Sequence, residues 1–251
     1  MIQLTILKIT GYGPWTLTLG SDREHELQML QASLYKEVQK LFSEKNGLVF
    51  LNRADEFFAV SNGLSLDDHI EIQKKLESSF DVKLSMSIGC ADNPFDANIK
   101  AYEGKKSEIF LNKEHNIYGF VDGKSEQKVT IMHLDVEDLT STRKTKSPYE
   151  ISSAIFKLYS IMSEFFLKNK SMTFFMGGDN FMVIANEDAK QSSQEFLKLI
   201  KKQQGITLNC GIGTGHNARE AVKLATKSLD TIREIRDSGK EKPEIYELSC
   251  F

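Results

Sequence analysis

Apolar residues recur along the 251-residue chain with two different spacings. Leu27, Leu30, Leu34, Val38 and Leu41 follow a helical period and predict a helix over residues 26–42, which Gly47 is placed to end. Ile151, Ala154, Ile155, Leu158, Ile161, Met162 and Phe165 form the apolar face of another over 148–168. Short runs rich in β-branched and aromatic residues predict strands over 4–9, 48–51, 57–60 and 82–88. The same signal returns over 129–135, in both arms of a hairpin within 172–185, and over 206–212. Further helices are expected over 65–78 behind the N-cap Ser65, after Pro94, over 189–202 and over 218–236, with a last strand over 245–248.

This pattern repeats. An offset of 124 residues sets Phe50 on Phe174, Asp55 on Asp179, Phe57 on Phe181, Ile88-Gly89 on Ile212-Gly213 and Ala101 on Ala225. For the opening strand the offset becomes 125, which sets Thr10 against Asp135. Each half reads β-α-β-β-α-β with an extra helix. The expected fold is therefore α+β, two tandem ferredoxin-like domains produced by internal duplication. The polar, glycine-bearing stretch 119–127 marks the join. Residues 1–122 then form an N-terminal repeat without an acid pair, and 123–251 a C-terminal repeat that carries one.

Composition narrows the function more than the fold. A formal net charge of −3 gives no overall attraction to nucleic acid or to an anionic membrane, so neither is expected as a partner. The N-terminus lacks a secretory pattern and no apolar run reaches membrane-spanning length, which predicts a cytoplasmic protein. Cys90, Cys210 and Cys250 are few and far apart, as reduced thiols are. The five histidines form no Cys/His cluster with zinc spacing, so no zinc is expected.

The chemistry gathers in the second half. Gly177-Gly178-Asp179-Asn180 joins two strands and presents Asp179 at a hairpin tip, and the strand over 129–135 ends on Asp135. As neighbours, these acids would repel unless they shared a proton or held cations, and hard oxygen ligands suit Mg²⁺. Two such ions would clamp a nucleoside triphosphate and generate an attacking hydroxide from water. Gly177 and Gly178 let backbone approach a ligand closely, which puts them and Asn180 in the substrate-binding set. Lys223 and Lys227 share one helical face, either as phosphate ligands or as a solvated surface. Arg143, Lys144 and Lys146 lie near the loop after Asp135. Tyr12-Gly-Pro-Trp15 is either a substrate-facing element or a tight turn whose Trp closes the core. His133 and His216 read as structural or exposed, although His216 precedes a helix and could reach a phosphate.

An Asp-ended first strand paired with a Gly-Gly-Asp hairpin resembles the palm domains of nucleotidyl cyclases, diguanylate cyclases and polymerases. Together with Tyr12-Gly-Pro-Trp-Thr16 and the tandem repeat, it resembles archaeal GTP cyclohydrolase III over nearly the whole chain. That resemblance implies opening of the imidazole ring of GTP by water, with release of phosphate, to a formylaminopyrimidine nucleotide used in flavin and deazaflavin synthesis. It implies Mg²⁺, a monovalent cation such as K⁺ near the guanine carbonyl, and a homo-oligomer, a tetramer in the family. Asp135 and Asp179 match the family's metal carboxylates, Val136 would lend a backbone carbonyl, and Asp138 lies in the matching stretch as a substrate-side residue. Thr10-Gly11 departs from the family, where an acid is expected near that position. A nucleotidyl cyclase using the same metals, or a GTP-binding regulator without turnover, are the other readings.

Overall fold

The computed structural model describes residues 1–121, 128–137 and 145–250. The chain divides into two compact units, Met1–Asp92 with Asp96–Gln127, and Asn93–Phe95 with Lys128–Phe251. In the first unit the elements are β1 (Ile2–Ile9), α1 (Tyr12–Thr18), α2 (Glu24–Glu44), β2 (Leu48–Arg53), β3 (Glu56–Val60), α3 (Leu66–Ser79), β4 (Leu84–Ala91), α4 (Pro94–Lys106), β5 (Phe110–Asn112) and β6 (Ile117–Gly119). They build a six-stranded sheet in the order β2-β3-β1-β4-β6-β5. The second unit contains β7 (Val129–Val136), α5 (Pro148–Lys168), β8 (Met172–Gly177), β9 (Asn180–Ala185), α6 (Ala189–Gln204), β10 (Leu208–Gly215), α7 (Ala218–Asp237) and β11 (Ile245–Ser249), with a five-stranded sheet ordered β11-β10-β7-β9-β8. The α+β, duplicated ferredoxin-like order is the one the hydrophobic pattern predicts. Among the described residues no helix is long and apolar enough to cross a membrane.

Both sheets bury one face the same way. Alternate residues of β1, Leu7 and Ile9, join Leu34, Val38 and Phe42 of α2 and Ile72 and Leu76 of α3 in one core. Met132 and Leu134 of β7 join Ile155, Leu158 and Phe166 of α5 and Phe196 and Ile200 of α6 in the other. The opposite face is covered by α4 in one unit and α7 in the other. Glycines make that approach possible: a Cβ on Gly89 would overlap the backbone of Ala97 and Ala101, and one on Gly213 the backbone of Ala221 and Ala225. Ser65 and Ser147 close reciprocal capping boxes with Asp68 and Glu150, which fix where α3 and α5 begin.

Four local expectations change. Residues 12–18 are a short helix rather than a turn. The residue that reverses the chain after α2 is Asn46, at φ 63°, and not Gly47; asparagine tolerates the left-handed region. The strands β5 and β6 carry too few residues to leave a periodic signal. The fourth change concerns the duplication. Asp135 pairs with Asn180 on one side and Asn209 on the other, and Lys8 pairs with Glu56 and Ser85. Glu56 and Asn180 stand 124 residues apart, as do Ser85 and Asn209, whereas Lys8 and Asp135 stand 127 apart. The opening strands therefore superpose with an offset of 127, not 125, and the counterpart of Asp135 is Lys8, not Thr10.

Candidate active site

Because Met132 and Leu134 point into the core, the strand alternation turns Ile131, His133 and Asp135 to the face beneath α7. The absence of side chains on Gly211, Gly213 and Gly215 lets that helix lie against the sheet, so polar side chains of α7 reach β7. Arg233 of α7 pairs with Asp135 at 3.1 Å and with Asp230 one turn earlier at 3.0 Å. One neighbouring strand away, Gly177 and Gly178 take φ values of 100° and 62°, the conformation that lets β8 reverse into β9 and presents Asp179 at the turn. A Cβ on either glycine would meet nothing within 4 Å, so they serve the backbone angle and leave the space in front of the turn open.

A hydrogen-bonded chain ties the turn to the sheet. The Asn180 amide nitrogen donates to Asp179 Oδ1 at 3.0 Å, and His133 Nε2 donates to Asn180 Oδ1 at 3.0 Å. With its proton on Nε2, His133 accepts at Nδ1 from the Thr226 hydroxyl at 3.3 Å. Burial, first of all, lowers the His133 pKa below the ordinary imidazole value and keeps the ring neutral, as this chain of bonds requires. Burial likewise raises the pKa of Asp135. The Arg233 guanidinium opposes that shift, and the charge of Asp179 adds a smaller contribution to it. Partly buried, mutually repelling acids at one sheet end are the arrangement a cation would relieve.

The structure brings Asp135, Val136, Asp179 and Asn180 together with the exposed Gly177 and Gly178, and leaves other expected residues apart. Lys227 and Lys223 are exposed on α7, about 9 Å and about 15 Å along the helix axis from Arg233, at a rise of about 1.5 Å per residue. Tyr12 and Trp15 sit on α1 of the first unit. Tyr12 packs against that unit's core, and Trp15, instead of closing it, lines a 720 Å³ pocket with Ile9, Thr10 and Phe80. Asp138, Arg143 and Lys144 lie outside the described residues. Lys146 lines a pocket with Val136 and Ile151. His216 meets Glu220 and Cys250, their ligand atoms within 4.8 Å of one another, at the other end of α7 from Arg233.

Sequence reasoning missed Arg233, the Asn180–His133–Thr226 chain, and Lys242, which reaches Glu137 at 3.0 Å and Asn209 at 2.7 Å. A signal for His133 was present, since it stands two residues before Asp135 in a strand and so shares its face.

The family model for GTP cyclohydrolase III matches residues 1–243. The chain belongs to the GTP cyclohydrolase III family. Its relatives of that name include the protein of Methanosphaera stadtmanae, 34% identical over 239 residues that cover 93% of each chain. That of Methanothermobacter thermautotrophicus is 35% identical, covering 93% of this chain and 95% of its own. That of Methanococcus vannielii is 33% identical over 255 residues, covering 99% and 93%. Among solved structures, a bacterial light-regulated adenylyl cyclase aligns with 94% of this chain and 83% of its own at 12% identity and a TM-score of 0.39. The active GGEEF domain of a Vibrio cholerae diguanylate cyclase covers 49% of this chain and 85% of its own at 12% identity and a TM-score of 0.38. In this GTP cyclohydrolase III family member, the donor set at the sheet end is all oxygen. It fits a hard divalent cation, with one carboxylate oxygen of Asp135 turned to Arg233.

Proposed function

We propose that the protein is a Mg²⁺-dependent GTP cyclohydrolase. It would open the imidazole ring of GTP to 2-amino-5-formylamino-6-(5-phosphoribosylamino)pyrimidin-4(3H)-one with release of phosphate. The observation that carries the reading is the placing of Asp135 and the Asp179 turn at one sheet end, in a chain whose relatives are named for this activity. Two Mg²⁺ would be held by Asp135, Asp179 and the Val136 carbonyl. Metal bound there supplies charge neutralisation of the triphosphate and acidifies a coordinated water.

The chain's own residues do the rest. Arg233 keeps Asp135 ionised against burial, and its guanidinium adds positive charge beside the phosphates. Neutral His133, through Asn180, fixes the rotamer of Asp179. Gly177 and Gly178 keep side chains out of the space a triphosphate would fill. Asp138, Lys223 and Lys227 extend the reading toward substrate. A monovalent cation such as K⁺ beside guanine, a homo-oligomeric assembly such as a tetramer, a cytoplasmic setting and no use of zinc belong to the same proposal.

Incubation with GTP and Mg²⁺ tests it. Loss of guanine absorbance with release of phosphate is expected. An intact purine in a cyclic nucleotide, or binding without turnover, would replace this reading with a cyclase or a regulator. Full activity in Asp179→Asn would remove the metal role from the hairpin whatever the product.

A further inference from the structure

The first unit has a pocket of its own where the second has its acids. A 540 Å³ cavity opens between the outer face of the first sheet and α4, lined by Lys8, Arg53, Glu56, Tyr102, Lys105 and Lys106, over an apolar floor that includes Phe58 and Ile99. Its volume lies in the range of small-ligand sites, roughly 300–1,000 Å³. Lys8 occupies the register position of Asp135. Lys105, 124 residues before Leu229, puts an amine where the second unit has an apolar side chain. These replacements add two cations to the site, while Asp55 keeps the place of Asp179 and Glu56 puts a carboxylate in the place of Asn180.

The carboxylates present do not balance these cations. Arg53 and Asn52 take the two Glu56 oxygens at 3.1 and 2.7 Å, and Lys8 makes longer ion pairs, 3.6 Å with Glu56 and 3.8 Å with Asp55. Among the described residues, four cations thus face two acids. Lys105 is half-buried, turned inward to the Ser85 hydroxyl at 2.5 Å and over the Tyr118 ring at 5.9 Å, and among the described residues no carboxylate is paired to it. A solvated helix-end lysine would project outward; this one is held at the cavity wall beside Lys8. Burial, first of all, and then the Lys8 charge lower the Lys105 pKa, and the Glu56 carboxylate opposes them. Tyr102, exposed on α4, offers a flat ring beside the cations.

From this arrangement we infer that the first unit binds a phosphorylated small molecule without metal, its phosphate on Lys8 and Lys105 and its apolar portion against Tyr102 and Phe58. The site is independent of the Mg²⁺ reading of the second unit, and chelation separates the two.

The test is calorimetric titration of the full-length protein in EDTA with inorganic pyrophosphate and with guanosine monophosphate as probes. Saturable binding of one equivalent is expected for at least one probe, weakened by added salt and reduced about tenfold or more in Lys105→Met and in Lys8→Met. Lys105→Arg should retain it, which separates charge from folding, and thermal melts of all variants report on folding directly. Binding of pyrophosphate and nucleotide alike assigns a phosphate subsite, and binding of the nucleotide alone adds the aromatic wall. Absence of saturable binding of either probe overturns the inference. So does binding that survives both lysine substitutions in folded protein, or that disappears in Asp135→Asn.

Discussion

Asp135 and Lys8 occupy one position in two sheets, each flanked by the hairpin strand on one side and by the strand of the glycine contact on the other. Around Asp135 the described residues gather Asp179, a neutral histidine and the Arg233 guanidinium, which Asp230 shares. Around Lys8 it gathers three more cations and an aromatic ring. The hairpins differ in the same sense: Gly177-Gly178-Asp179 reverses with two positive φ angles and open space in front, and Arg53-Ala54-Asp55 reverses without them and closes its acids on Lys8. A duplicated frame thus preserves what packs, the glycine and alanine contacts under α4 and α7 and the aromatic cores, and leaves the polar ends of the sheets free to diverge.

The largest expected effect separates the acids from their frame. Asp135→Asn and Asp179→Asn should each lower Mg²⁺-dependent turnover of GTP at least about a hundredfold, while far-ultraviolet circular dichroism stays native. Equal activity would dissolve the distinction between the two sheet ends. Next is the glycine contact both units share. Gly213→Ala forces a Cβ into the backbone of α7 and should cost about 1–3 kcal/mol or more in denaturant unfolding. Gly178→Ala meets no atom and should cost only the strain of its positive φ, about 1–2 kcal/mol.

Arg233→Met removes the group that offsets burial of Asp135. The carboxyl pKa, already raised in the folded protein, should rise further, read by carbon NMR titration of the metal-free protein. The smallest effect compares two histidines. His133 and the fully buried His69, which donates from Nδ1 to the Ser65 carbonyl and accepts at Nε2 from Thr5, both have folded pKa values depressed chiefly by burial. A depressed value means that the unfolded chain binds more protons. Their contribution is therefore complete above about pH 6.5 and is lost as pH falls below it toward the folded values, at most about 1.4 kcal/mol per pH unit for each proton. His69→Gln and His133→Gln should each flatten that slope in unfolding measurements between pH 4.5 and 7.

Much of this molecule is legible in its residues. The helices beginning at Pro148 and Ala218 fall where caps and apolar spacing place them, and the Asp-ended strand and Gly-Gly-Asp hairpin become neighbours as their patterns suggest. Arg233 escapes notice because nothing in a solvated helix face marks which of its charges will reach a strand. His133 escapes because an isolated histidine on a strand reads as packing until its hydrogen-bond partners are known.

Sequence alone determined the period of the long elements and the duplication, and it singled out the two acids as candidates, since these follow from side-chain spacing and composition along the chain. Only the tertiary structure decided that Lys8 stands in the place of Asp135. Offsets of 125 and 127 differ by two residues, which is one full strand period, so both put the same residues on the same face and satisfy the hydrophobic pattern equally. The choice between them lies in the hydrogen-bond pairing with β3 and β4, which no local pattern encodes.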